Sequence, residues 1–402
     1  MSNIAISPTI NKTNHLDWLD SVRGAAALYV VCHHAVRSVI VKGDHAHDSL
    51  YRFLQLLTNY GHYAVDVFIV LSGYCLTLPL IRNKEFGDIL IFYIRRTIRI
   101  VLPYYAAIIV TLFLTKFWLS STHGVWAENA LPLTQESIWK HLLLIHQWDS
   151  SVALKLNGAF WSVGVEYEIY FLFPLLYFLG ERIGFFRTLV FITLTSYLLW
   201  GVMNYFDILN PGANGSSIYY CSLFYMEVVA AKYANQQDKP SGLISIVDTN
   251  SNMVYLLMIF GIVGLATISF ILGYTKSQFY LPLQIQSFFI GSFVSILFYL
   301  RDKNNKQFFK PDWRFISKPL AWVGTIGFSV YLLHDPILAM VWVYIVAPLH
   351  VHSYFIQAML ELIIGLAFSL AISIVFYRLI EYPCHQLSKS VAKAKNFVAV
   401  ET

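Results

Sequence analysis

Long apolar runs separated by short polar stretches dominate the chain. A run of about 20 mostly apolar residues is enough to cross about 30 Å of hydrocarbon. Runs of this kind recur at 16–38, 60–81, 100–119, 160–180, 187–206, 216–234, 252–273, 278–300, 321–346 and 354–380. In lipid, helices satisfy their own backbone, so the pattern predicts an all-α polytopic membrane protein with about ten transmembrane helices. Two amphipathic stretches stand apart. "ESIWKHLLLIHQW" has helical spacing with tryptophan towards both ends and predicts a helix at the outer interface. "KEFGDILIFYIRRTIR", residues 84–99, reads as a cytoplasmic interfacial helix leading into the third span.

Composition agrees with this class. Of 402 residues, 57% are hydrophobic and only 13% charged, with a mean hydropathy of +0.57; a soluble domain needs more polar surface. Ten spans put both termini on one side, and the loops sharing that side hold 20 of the 28 Lys and Arg, against seven opposite. The positive-inside rule then makes both termini cytoplasmic. The formal charge of +5 follows from these loops, so nucleic acid is not an expected partner. The first fifteen residues lack the pattern of a cleaved signal, so the first span is expected to be an uncleaved anchor. Residues 1–384 read as one transmembrane domain and 385–402 as a basic cytoplasmic tail. Cys32, Cys75, Cys221 and Cys384 lie far apart, without C-x-x-C or His/Cys ligand spacing, so no metal is expected.

Polar groups inside spans are costly and usually face a cavity. The first span, "LDWLDSVRGAAALYVVCHHAV", carries Asp20, Arg23, His33 and His34. Eleven helical steps separate Arg23 from His34, which leaves about 20° of rotation and roughly 16 Å of rise, so both share one face. His33 points about 100° away, and Asp20, one turn before Arg23, is its expected partner. The plainer reading has Arg23 snorkelling to the interface and a histidine tying two helices together. Arg95, Arg96 and Arg99 suit phosphate oxygens, although such a cluster also serves as an anionic-lipid anchor. Glu166, in "FWSVGVEYEIYFLFPLL", either orients a histidine, acts as acid or base itself, or is a structural carboxylate. His334 and Asp335 precede Pro336 in the ninth span, where the proline is expected to break the helix.

Taken together, these stretches resemble the integral-membrane acyltransferase-3 family. "LDSVRGAAALYVVCHH" is similar to its Arg, ten residues, His opening. "GHYAVDVFIVLSGYCL" resembles its second span, "FYIRRTIRIVLPYY" its basic stretch, and "FWSVGVEYEIYFLFPLL" its W-S-x-x-x-E span; "SVYLLHDPIL" and "IEYP" resemble its closing elements. The likeness runs from about 16 to 384, in family order. There are departures: Gly61-His62-Tyr63-Ala64 stands where G-x-x-G is common, and His334-Asp335-Pro336 where H-W-P is.

The resemblance implies about ten membrane helices in a bacterial inner membrane. It also implies transfer of an acyl group, usually acetyl, from cytoplasmic acetyl-CoA to a hydroxyl of a cell-envelope saccharide. His34 would be base or acyl acceptor, with Arg23 and Glu166 beside it. Arg95, Arg96 and Arg99 would hold the phosphates of acyl-CoA, and His334, Asp20 and Trp161 would support the substrate. Many members append a periplasmic hydrolase-like domain, which is not expected here because the chain stops just after the tenth span. The alternative is a polytopic transporter or flippase of a glycan or lipid-linked sugar; it predicts two related halves with paired interrupted helices, and no such internal symmetry is visible.

Overall fold

The computed structural model describes residues 12–39, 48–83, 87–119, 124–206, 217–235, 283–303 and 314–401. Among them there is no strand. The helices are α1 (Lys12–Arg37), α2 (Ser49–Thr58), α3 (Gly61–Asn83), α4 (Ile89–Leu114), α5 (Val125–Ala130), α6 (Gln135–Leu142) and α7 (Trp161–Ile183). They continue with α8 (Phe185–Tyr205), α9 (Ser217–Ala234), α10 (Leu283–Lys303), α11 (Arg314–Thr325), α12 (Gly327–Val341), α13 (Tyr354–Phe376) and α14 (Tyr382–Glu401). The expected span at 252–273 lies outside the described residues.

Seven helical runs among the described residues are long and apolar enough to cross a membrane. α1 and α9 are not among them, and the packing explains how both are accommodated. α9 is enclosed by α3, α8 and α10, with Tyr219, Tyr220, Leu223, Phe224 and Tyr225 fully buried. α1 is surrounded by α11, α3, α13 and α12. A helix whose neighbours are protein needs no apolar lipid-facing surface, and it can carry polar groups that lipid would reject.

The tightest of these contacts is made by two glycines. A methyl group on Gly24 would lie 2.0 Å from the Leu320 carbonyl oxygen, and one on Gly324 would lie 1.8 Å from that of Asp20. α1 and α11 therefore meet backbone to backbone, as small residues permit in membranes. Ser21 Oγ donates to the Ser317 carbonyl at 2.8 Å beside this crossing.

Two expectations about helix ends are corrected. No separate interfacial helix spans 84–99: α4 starts at Ile89, capped by Asp88, which accepts the Ile91 N–H at 3.1 Å. It runs unbroken through Pro103 to Leu114, so the three arginines lie in the first turns of a spanning helix. Nor does Pro336 break the ninth span. It sits inside α12, and the interruption falls between α11 and α12, at Ile326. Proline removes one N–H, and a helix tolerates that when the freed carbonyl finds another donor.

Candidate active site

The carbonyl that Pro336 leaves without a helical donor is that of Leu332, one turn earlier. Asn157 Nδ2 donates to it at 2.9 Å. Asn157 Oδ1 in turn accepts the Ala159 N–H at 2.9 Å, and the Gly158 N–H donates to Asp335 Oδ2 at 2.7 Å. The loop before α7 is thereby fastened to α12, with one carboxylate oxygen of Asp335 held. The other, Oδ1, faces His34 Nδ1 across 3.4 Å. That is long for a hydrogen bond, but such catalytic contacts are often loose before substrate binds.

Three imidazoles meet here. The His34 ring stands edge-on to those of His33 and His334, with centroids 5.1 and 5.0 Å away. His33 Nδ1 lies 2.8 Å from the Thr58 carbonyl, and His334 Nδ1 lies 2.8 Å from that of Tyr331. A carbonyl only accepts, so both rings carry their proton on Nδ1 and are used as ties between backbones. Accessibility separates the three. The His34 side chain is 30% exposed, while His33 and His334 are 8% and 0% exposed. With Asp335 at Nδ1, Nε2 of His34 is the nitrogen available for proton work. Gly61 makes room for this arrangement, since a methyl group there would lie 2.4 Å from Cγ of His33.

The other expected residues fall into two further groups. At the N-terminal end of α1, Arg23 donates to Asp20 at 2.6 Å and approaches Cys75 Sγ at 3.7 Å. Glu166 accepts from Ser72 Oγ at 2.8 Å and from the Tyr170 hydroxyl. Arg96 lies over the rings of Phe92 and Tyr170, 5.6 Å from each centroid. Glu166 thus joins α3 and α7 near the arginines, and its hydrogen bonds do not include His34. Arg95 and Arg99 stand on the same turns of α4, Arg99 being exposed. Trp161 forms the third group: its indole stacks on His62 at 5.8 Å and 11°, and His62 Nε2 meets the Tyr220 hydroxyl at 3.2 Å and buried Asp66 at 3.9 Å.

Behind Gly158 the loop between α4 and α7 has its own polar core. α6 covers the first half of the expected interfacial helix and is capped reciprocally by Thr134 and Ser137; Trp139 and Leu143 are exposed on its outer side. Glu168 accepts from Gln147 Nε2 at 2.5 Å and Trp148 Nε1 at 2.6 Å, tying loop to α7. His141 and His146 stack at 3.9 Å and 14°. Burial holds His141 down to about 4 and His146 well below the ordinary imidazole value. Among the described residues no group of three or more His, Cys, Asp or Glu is arranged to hold a metal ion.

Asp335 is the carboxylate that the structure, and not the sequence, brings to His34. Its signal was present as the carboxylate between His334 and Pro336, but no spacing rule connects it to His34, some 300 positions away.

Fold and site together define a multi-pass helical membrane protein with an accessible histidine–carboxylate pair inside its bundle. The family model described as "Acyltransferase domain" matches residues 16–378, and the chain belongs to that family. It is similar to "O-acetyltransferase OatA" of Staphylococcus aureus (strain NCTC 8325 / PS 47), 26% identical over 339 residues, covering 80% of this chain and 52% of that protein. It is also similar to "Putative peptidoglycan O-acetyltransferase YrhL" of Bacillus subtilis (strain 168), 26% identical over 222 residues, covering 52% of this chain and 32% of that protein. The chain thus spans about half the length of the first relative and about a third of the second. No solved structure matches it.

Proposed function

We propose that this chain transfers an acetyl group from acetyl-CoA, entering at the cytoplasmic face, to a hydroxyl of a cell-envelope saccharide in a bacterial inner membrane. The observation that carries this reading is the pairing of His34, the accessible histidine of its cluster, with Asp335 through Nδ1. A carboxylate at Nδ1 orients the ring and stabilises the imidazolium formed when Nε2 takes a proton.

In this reading the acceptor hydroxyl gives its proton to Nε2 of His34 as its oxygen attacks the thioester carbonyl. The tetrahedral intermediate then expels the CoA thiolate, which takes the proton back from His34, so the products are the O-acetyl ester and CoA thiol. Arg23, about 16 Å towards the cytoplasm on the same helix face, is suited to the polar part of an arm whose thioester reaches His34. Arg95, Arg96 and Arg99 suit the phosphates at the mouth. Glu166, hydrogen-bonded to Ser72 and Tyr170, is assigned to holding the path between mouth and His34 open, with Asp20 fixing Arg23. His334 and Trp161 support the walls. The titles of both relatives name O-acetyltransferases, which agrees with this chemistry.

The test compares membranes containing the wild type and His34→Ala for acetyl-CoA-dependent ester formation on envelope glycan, read by mass spectrometry as added acetyl groups. Near-wild-type acetylation by the variant would remove His34 from the mechanism. Acetyl-CoA-independent movement of glycan in proteoliposomes would instead make the protein a transporter.

A further inference from the structure

The cytoplasmic arginines do not stand alone. α14 continues α13 inward and packs along α4, and Ser388 Oγ donates to the Arg95 carbonyl at 3.1 Å. His385, Ser388 and Lys389 are spaced i, i+3 and i+4, so they share one helix face. That face is fixed against α4 by the Ser388 bond. His385 is consequently within electrostatic reach of Arg95, Arg96, Arg99 and Lys389 together. Glu381, at this corner, accepts from the backbone N–H and the hydroxyl of Ser329 and faces Arg99 electrostatically, one carboxylate against several cations. Arg99 and Lys389 are both exposed, so the cluster opens to the cytoplasmic side.

Cations crowded on two packed helices repel each other, and folding alone gives no reason to bring them together. An anion with several negative oxygens removes the repulsion and uses the clustered donors at once. We propose that α14 forms the second wall of the anion site, where His385 and Lys389 act with Arg95 and Arg99 on the phosphates of a CoA thioester. They thereby set a preference for CoA over phosphate-free pantetheine thioesters. The proposal rests on the acetyl-CoA reading above and assigns binding residues to a segment that, on sequence, is only a basic tail. Anionic lipid headgroups offer the same oxygens, and the experiment separates the two sources.

The full chain is placed in nanodiscs of neutral phosphatidylcholine, and binding of acetyl-CoA, adenosine 3′,5′-diphosphate and S-acetylpantetheine is measured. Replacing both groups, H385A with K389A, should weaken acetyl-CoA and the bisphosphate by about tenfold and leave S-acetylpantetheine unchanged. Lys389→Arg should retain tight binding, which controls for folding. If wild type binds no acetyl-CoA, the donor assignment itself fails, and this inference with it. If wild type binds and Arg95→Ala weakens it while the double variant does not, only the role of α14 is refuted. If the double variant loses only its association with phosphatidylglycerol vesicles, the wall is a lipid contact and the proposal is overturned.

Discussion

Two histidine clusters in this molecule share composition and differ in almost everything else. His141 and His146, in the loop between α4 and α7, stack face to face and are completely buried. No salt bridge is formed by either ring among the described residues. His33, His34 and His334 meet edge-on within the bundle; two are tied to carbonyls, and the third is open and faces a carboxylate. Aromatic packing accounts for the first cluster. The second leaves one ring partly exposed beside an oriented acid, an arrangement that packing alone does not require. A buried imidazole thus says little by itself; exposure and the group at its other nitrogen separate chemistry from structure.

The largest test of this contrast is His34→Ala, which should lower acetyl transfer by on the order of 10²–10⁴-fold with normal membrane insertion. A comparable loss from His141→Phe would erase the distinction. Next comes Asp335→Asn, which keeps the shape and the contact with Gly158 but removes the charge. Transfer should fall by about 10²-fold, with donor binding unchanged; weakened donor binding would show that Asp335 acts on the substrate instead. Asn157→Ala removes the donor to the Leu332 carbonyl, which costs about 1–3 kcal/mol for a buried acceptor left unpaired. The loop should loosen from α12, and hydrogen exchange over residues 156–160 should rise; unchanged exchange would show that the loop is held by other contacts.

The buried pair His141 and His146 predicts a dependence of loop stability on pH. Above the ordinary imidazole value of about 6.5, folded and unfolded loops are both neutral, and the full stability is present. Between 6.5 and about 4 for His141 the unfolded loop takes up a proton that the folded loop refuses, so stability falls as pH falls, by about 1.4 kcal/mol per pH unit for each ring. The protection factors of residues 134–160, exchange rates corrected for their intrinsic pH dependence, should therefore fall from pH 7 to pH 5, and His141→Phe should blunt that response. Equal protection factors at the two pH values would contradict the buried-neutral assignment. His33→Ala should have the smallest effect on transfer, leaving the Thr58 carbonyl unpaired at a cost of about 1–3 kcal/mol of stability with little loss of activity.

Much of this was legible before any coordinates. Apolar run length reveals spanning helices because lipid imposes one length on them. The shared face of Arg23 and His34 follows from helical pitch, and the pairing of Asp20 with Arg23 from their being one turn apart. The order of the motifs pointed to the family to which the chain belongs. The basic stretch does not show where α4 starts, which the Asp88 cap sets, and Pro336 does not break α12 because Asn157 captures the carbonyl it frees.

The sequence by itself determined the all-α membrane class and the face that Arg23 and His34 share on α1, since those depend on local periodicity and on the solvent. Only the tertiary structure decided which carboxylate serves His34. Asp335 reaches it because Gly24 and Gly324 bring α1 and α11 into backbone contact, and because the Leu332 carbonyl freed by Pro336 is captured by Asn157. It also decided that Glu166 sits with Ser72 and Tyr170, and that the basic tail returns to the arginines of α4. These partners are joined by packing between helices far apart in the chain, and no local periodicity encodes such distances.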